Sequence, residues 1–483
     1  MLQNKGITIV SEVKSFFTSS EKAVHSLFSI LSSLTLSEKQ LGIESKGNNV
    51  YKNINKLLLL ILFPFFNIQG IWEYRRSSLY PVVSSGKDVF YRLINDCTIH
   101  WRKISYRMTL QLIRKAQPQH QDFRPATPRC LIVDDTDLPK TGRGIELIGK
   151  VFSHVTRQSI LAFKGLFLGY HDGKSFFALD FSMHGEEGRN KKKPYGLTPK
   201  QFKNRYSKSR ANGSPGAKRK EEYFTTKIES MIEKVRTAIS NGLRFDYLLV
   251  DSWFTCFALV KFIVSRRIGC HLVGMAKMGK TGYQFKGKKL TAKEIVDYLR
   301  KTRKLRRSRQ LSCYFCEAEV NFNGILVKLF FCKTSRRSKW NLILTTDHSL
   351  NFEQVYRIYS VRWSVEVFFK DSKQYLGLGK CQSQNFDAQI AHTTICMLQY
   401  NLLSVVRRFT DYESLGELFR NTNAETIQLT VAEKIWQIIL ELLISLAEVF
   451  ESDIEMLTSN ESLDLMQDLE FMQWLAESNQ DVS

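Results

Sequence analysis

In the middle of the chain, short continuous apolar runs close on acidic residues and alternate with helical periodicity. Arg129-Cys130-Leu131-Ile132-Val133 runs into Asp134-Asp135-Thr136, and Tyr247-Leu248-Leu249-Val250 runs into Asp251. Apolar runs this short, bounded by polar turns, predict buried strands rather than helices. Between them, 162–170 and 175–183 read as strands joined by His171-Asp172-Gly173-Lys174, a link of hairpin length. Helical patterns follow over about 221–241 and 256–266, with a further strand near 271–275.

A three-strand meander followed by strand–helix alternation is the layout of a ribonuclease H-like sheet. Residues 277–349 read differently. There, 313–322 and 325–333 are strands joined at Asn323-Gly324, the strongest short hairpin signal, and 340–346 is a third strand. The expected fold class is therefore α/β: a ribonuclease H-like core interrupted by a β-rich insertion, with helical N-terminal and C-terminal regions. The expected organisation is a basic helical region over 1–125 and the core in two parts, 126–276 and 350–400. The insertion fills 277–349, and an acidic helical region over 401–483 offers a dimer element. Amphipathic helices are predicted over 53–63 and 89–112, and a mobile basic loop over 189–220, which holds 12 Lys/Arg and no acid.

Composition narrows the function class. With 483 residues and 43% hydrophobic content, global disorder is excluded. The longest apolar run, 57–66, is ten residues and is broken by Pro64, where a spanning helix needs about 20; no membrane role is expected. No signal-peptide pattern opens the chain, and nine scattered cysteines read as reduced thiols, so a cytoplasmic protein is expected. Charge is the informative quantity. The net charge is +23, yet from Asp411 onward 16 acidic residues face only Arg420 and Lys434, which leaves +37 on the first 410 residues. Such an excess points to a polyanion, and nucleic acid is the commonest one in a cell.

The candidate chemistry sits in 359–373, expected to be one helix capped by Asn351 and Gly377. At roughly 100° per residue, Tyr359, Arg362, Glu366 and Lys373 share a stripe about 60° wide. Three side chains suited to phosphate and one carboxylate on one face are an odd arrangement for structure alone. Tyr-x2-Arg-x3-Glu-x6-Lys resembles the signature of DDE transposases of the bacterial insertion sequence 4 family. The preceding landmarks, an apolar strand ending in Asp-Thr (Asp135-Thr136) and one ending in Asp (Asp251), stand in the family's order. The 114 residues between Asp251 and Glu366 leave room for the family's β-rich insertion. The resemblance covers about 129–400.

The resemblance implies a cut-and-paste transposase. Asp135, Asp251 and Glu366 would be its catalytic carboxylates, holding two Mg²⁺ (or Mn²⁺) ions. Carboxylates suit such hard ions, and a pair of ions can activate the attacking oxygen and stabilise the leaving oxygen of an in-line displacement. Asp134 competes with Asp135, since strand alternation points the two to opposite faces; the family's Asp-Thr pairing favours Asp135. Tyr359, Arg362 and Lys373 would contact phosphates near the element's end. Trp340 would stack on a flipped base, its alternative being a core position in the insertion. The implied partners are double-stranded DNA (the element's terminal repeats and target) and a second copy of the chain, as a homodimer. Cys313-x2-Cys316 reads as two buried thiols rather than zinc ligands. The run Arg300–Arg309, seven cations in ten residues, reads as a DNA-tracking segment. Two rival functions remain: a nuclease that cuts without joining, and a non-catalytic DNA-binding descendant of a transposase.

Overall fold

The computed structural model describes residues 23–45, 51–77, 79–80, 85–117, 128–265 and 268–427. The acidic tail expected beyond 427 lies outside them. The chain divides into two compact units. One comprises Met1–Gln117, Asp371–Gly377 and Asp387–Ser483; the other comprises Pro118–Lys370 and Leu378–Phe386.

The main helices, in chain order, are α1 (Ala23–Ser32), α2 (Asn53–Leu62), α3 (Asp88–Ile94), α4 (Trp101–Ala116), α5 (Pro215–Glu222), α6 (Lys227–Ser240), α7 (Phe257–Ser265), α8 (Ala292–Lys301), α9 (Phe352–Ser360), α10 (Trp363–Tyr375) and α11 (Phe386–Val406). The first unit is helical. Its α2 is buried all round, Asn55 and Lys56 included, instead of showing the charged face that 53–63 suggested. The charge of Lys56 is tolerated because Nζ donates to Asn53 Oδ1 at 2.9 Å, although burial lowers its pKa. Polar residues on α11 tie the same core together: Gln399 donates to the Leu60 carbonyl and Asn401 to Thr109 Oγ1. The expected helix over 89–112 is two helices, α3 and α4, separated by a turn.

The second unit is built on a mixed sheet of twelve strands. These are β1 (Cys130–Pro139), β2 (Gly149–Ser153), β3 (Gln158–His171), β4 (Phe176–His184), β5 (Tyr247–Val250), β6 (His271–Ala276), β7 (Gly282–Phe285), β8 (Lys288–Thr291), β9 (Arg306–Ser308), β10 (Cys313–Phe322), β11 (Ile325–Lys333) and β12 (Asn341–Thr345). The order is β2-β3-β1-β5-β6-β12-β11-β10-β7-β8, with β4 added to β3 and β9 to β10. Strand β1 is antiparallel to β3 and parallel to β5, and β5 is parallel to β6. The 277–349 strands extend this same sheet, because β12 pairs antiparallel with β6. The β10–β11 hairpin closes at Asn323-Gly324, both at positive φ (49° and 93°) as a tight two-residue turn requires.

Two features of the second unit bear on the site. First, the loop over 189–220 carries ordered structure, including α5. Arg210 forms a bidentate pair with buried Glu146 at 2.7 Å, and Arg205 lies over Phe202. Second, each sheet face has its own cover. On one, Phe167 of β3 stacks on Phe181 of β4 and meets Phe368 and Phe369 of α10, all within 5.6 Å between ring centroids. On the other, α6 lies under β3 and β4, its buried Lys234 paired with Glu222 at 2.8 Å. Removing one ring of the aromatic cluster would cost about 3–5 kcal/mol by the usual scale for Phe→Ala.

Candidate active site

Strand β1 carries Asp134 and Asp135 inside its length, because it continues to Pro139, six residues past the apolar run that predicted it. Its ladder to β3 is unbroken, with Asp134 opposite Phe167 and Asp135 opposite Leu166. Directly opposed residues in an antiparallel pair share a face, so Asp134 points to the α10 side with Phe167, and Asp135 points to the α6 side.

Asp251 follows the last residue of β5. Val133 and Val250 form the final β1–β5 pair, so Asp251 stands level with Asp134. Its Oδ1 accepts from the backbone N–H of Trp253 (2.9 Å) and Phe254 (3.2 Å), which turns the chain away from the sheet. The Thr255 hydroxyl donates back to the Asp251 carbonyl at 3.0 Å. It fits only because position 274 on β6 is glycine; a Cβ there would collide with Thr255 Oγ1.

The segment expected as one helix is two, α9 and α10, with a tight turn at Val361–Arg362. Asn351 caps the first through a full capping box with Gln354, and Gly377, at φ 71°, follows the second. At the break, Arg362 reaches under α10. Its Nη1 donates to Asp134 Oδ2 at 2.6 Å and its Nη2 to Glu366 Oε1 at 2.5 Å, and the guanidinium carbon lies 5.7 Å from the Tyr359 ring centroid. Asp134, Tyr359 and Glu366 are thus gathered around one cation, Arg362. Asp251 is close enough for its charge to raise the pKa of both Asp134 and Tyr359. Burial pushes the Asp134 carboxyl up to about 7, against the pull of Arg362, and pushes the Tyr359 hydroxyl up to about 12. Burial works against the charge of Arg362, but Tyr359, Asp134 and Glu366 hold its pKa above the ordinary value.

The other expected residues have their own settings. Asp135 Oδ2 is paired with Lys227 Nζ at 2.5 Å on the opposite face. Lys373, in the last turn of α10, belongs to the other compact unit. Trp340 precedes β12, half-buried, with Lys333 Nζ 4.6 Å from its ring centroid. Cys313 and Cys316 are buried free thiols on β10. In the basic run, residues 301–307 are exposed, while Arg306 pairs with Glu317 and lies over Phe315. Sequence reasoning weighed Asp134 only as the competitor of Asp135, and it passed over Lys227 and Trp253 altogether. A signal for Asp134 existed: Cys130-Leu131-Ile132-Val133 and Tyr247-Leu248-Leu249-Val250 each place Asp fifth, at Asp134 and Asp251.

Among the described residues, no three acidic, Cys or His side chains converge closely enough to hold an ion. The donor chemistry nonetheless suits a hard divalent ion. A buried carboxylate whose ionisation is opposed by burial, with a second carboxylate level with it and a third sharing its cation, is an arrangement that gains from added positive charge.

Comparison with known proteins agrees with this chemistry. Residues 214–402 match the transposase DDE domain family, and residues 76–275 match the DDE superfamily endonuclease family. The chain thus carries a DDE domain of the transposase and endonuclease class, whose reaction is cleavage of DNA phosphodiesters. No curated protein matches the chain. Among solved structures, a piggyBac transposase synaptic complex with hairpin DNA is similar over 88% of this chain and 81% of that one. Its identity is 16% and its TM-score 0.36, too loose a likeness to define the fold. No described helix is long and apolar enough to cross a membrane.

Proposed function

We propose that this chain is a cut-and-paste DNA transposase of the insertion sequence 4 type. The carrying observation is the convergence of Asp134 from β1 and Glu366 from α10 on one guanidinium, with Asp251 level with Asp134. In this reading the sub-order β4-β3-β1-β5-β6, with its parallel β1, β5 and β6, is a ribonuclease H-like core, and β7 to β12 are the insertion that extends it. The triad is Asp134, Asp251 and Glu366, with Asp134 taking the role first expected of Asp135.

These three carboxylates would hold two Mg²⁺ or Mn²⁺ ions, which when bound supply an activated nucleophile and charge stabilisation of the leaving oxygen. The chain's own residues do the rest. Arg362 pairs with both Asp134 and Glu366 and so occupies oxygens that would hold an ion. A guanidinium released from them has a planar fork suited to phosphate. Tyr359, kept protonated by burial, remains a hydrogen-bond donor at any physiological pH. Lys373, the exposed cations of 301–307 and the basic region over 1–125 add contacts to the DNA backbone. Strand cleavage at the element's ends, a hairpin intermediate held by Trp340, and strand transfer by a homodimer complete the reading. The acidic sequence over 401–483 is then a dimer element.

The deciding experiment supplies purified protein with paired-end DNA, a target plasmid and Mg²⁺. Insertions flanked by short target duplications are expected. Cut ends without insertions would reject transposition in favour of a nuclease, and no cleavage would favour a non-catalytic DNA-binding protein. Glu366→Gln should abolish cleavage while leaving end binding within a few-fold, because it removes charge and keeps shape.

A further inference from the structure

The strand that carries Asp134 and the strand that Asp251 follows lose their mutual hydrogen bonds just before those residues. The β1–β5 ladder has four pairs and ends at Val133–Val250. Beyond it, β1 is bonded only to β3 on its other edge, and the chain after Val250 turns away. The backbone ladder therefore does not fix how far apart the two carboxylates stand.

Lys227 spans that gap from the opposite face. Its Nζ lies 2.5 Å from Asp135 Oδ2 and 4.5 Å from the centroid of the Trp253 ring. Asp135 is the neighbour of Asp134 on β1, and the Trp253 N–H is one of the two that hold the Asp251 carboxylate. Both groups of the pair are largely shielded from water, with side-chain exposures of 16% and 26%. Lys227 also opens α6, right after the Thr226 cap, where the helix dipole disfavours a cation. A lysine at an unfavourable helix position, joined at once to β1 and to the turn after β5, calls for an explanation beyond surface charge.

We infer that Lys227 is a positioning residue that sets the spacing between Asp134 and Asp251 through Asp135 and Trp253. This rests on the transposase reading of the same site. Lys227 touches neither DNA nor ion in this role; it acts through its two partners.

Mn²⁺ titration of the metal-free full chain, followed by electron paramagnetic resonance, tests it alongside the Mg²⁺ dependence of nicking. Loss of an outer partner of metal ligands typically costs 10- to 100-fold in affinity, so Lys227→Met should weaken Mn²⁺ binding by roughly tenfold or more. Nicking should then need correspondingly more Mg²⁺ but approach the wild-type rate at saturation. Lys227→Arg, which keeps the charge and the stacking, should restore most of the affinity. Asp135→Asn breaks the same pair from the other side, so the measurement survives if the variant at 227 does not fold. It should show a similar shift, and the double variant should be no worse than either single one. Wild-type Mn²⁺ affinity in a folded Lys227→Met protein, additive losses in the double variant, or complete loss of binding in Asp135→Asn alone would each overturn the role of Lys227. Wild-type protein that neither binds Mn²⁺ nor nicks DNA would overturn the transposase reading as well.

Discussion

Asp134 stands directly across the β1–β3 ladder from Phe167, and Phe167 carries the rings of Phe368 and Phe369. A buried hydrophobic contact thus determines which of two adjacent aspartates faces the helix that bears Glu366. The aromatic cluster orients the sheet face, and alternation along the strand assigns the carboxylate. Slipping β1 by one residue would exchange Asp134 and Asp135, and it would also turn the buried residues of the strand the wrong way.

Asp134→Asn should therefore reduce end cleavage by a thousandfold or more, on the order seen when catalytic groups acting as a unit are removed. Asp135→Asn should remain active once Mg²⁺ is saturating. A cleavage assay with both variants at high Mg²⁺ checks this, and equal abolition would place Asp135 among the metal ligands.

Burial raises the Asp134 carboxyl to about 7, whereas an unfolded aspartate titrates near 3.9. Between those values the folded protein retains a proton that the unfolded chain has released, so this group's contribution is fully present below about pH 4 and is lost as pH rises toward 7. In metal-free buffer, the wild-type Tm should fall across that window relative to Asp134→Asn, and the two should run parallel below it. Thermal melts from pH 3.5 to 8 measure the difference; a constant offset would mean that the carboxyl ionises as freely as in water.

Trp340 is only half-buried and rests against Lys333, so its truncation should cost little stability. If it holds an extruded base, with stacking of about 1–3 kcal/mol, Trp340→Ala should nick normally but form hairpin roughly 5- to 150-fold more slowly. Gel assays that follow nick and hairpin separately, with a melt of the same sample, distinguish this from a packing role, which would slow both steps and lower Tm.

Lys373→Ala should flatten the log–log salt dependence of end binding by about 0.9, the slope per neutralised phosphate. Arg362→Ala should flatten it less, because Asp134 and Glu366 already balance that charge before DNA arrives. Binding titrations at four or five salt concentrations read both slopes, and identical losses would mean that Arg362 leaves its carboxylates completely on DNA binding.

Much of the local structure was legible. The strands over 313–322 and 325–333 match β10 and β11, because the Asn-Gly turn and β-rich runs act within a few residues. The Asn351 cap formed as expected, since a capping box is also a local device. The single helix over 359–373 was not found. Periodicity registers which residues are apolar, and it is blind to a tight turn at Val361–Arg362 that lets Arg362 reach Asp134. Helix α8 inside the β-rich segment was likewise missed, although Thr291 and Glu294 form a capping box that announces it.

By itself, the sequence determined the class of chemistry. Carboxylates at the ends of apolar runs, the Tyr359–Lys373 spacing and the charge excess all depend on residue type and local order, which no packing can alter. Which of the two adjacent aspartates faces α10 was decided only by the tertiary structure. Asp134 and Asp135 are equivalent in composition and nearly so in position. What separates them is the face of β1 that meets α10, and that depends on aromatic packing between residues about 200 positions apart in the chain. The Lys227 bridge was decided in the same way, because it joins Asp135 and Trp253, which come together only when β1, α6 and the turn after β5 are assembled.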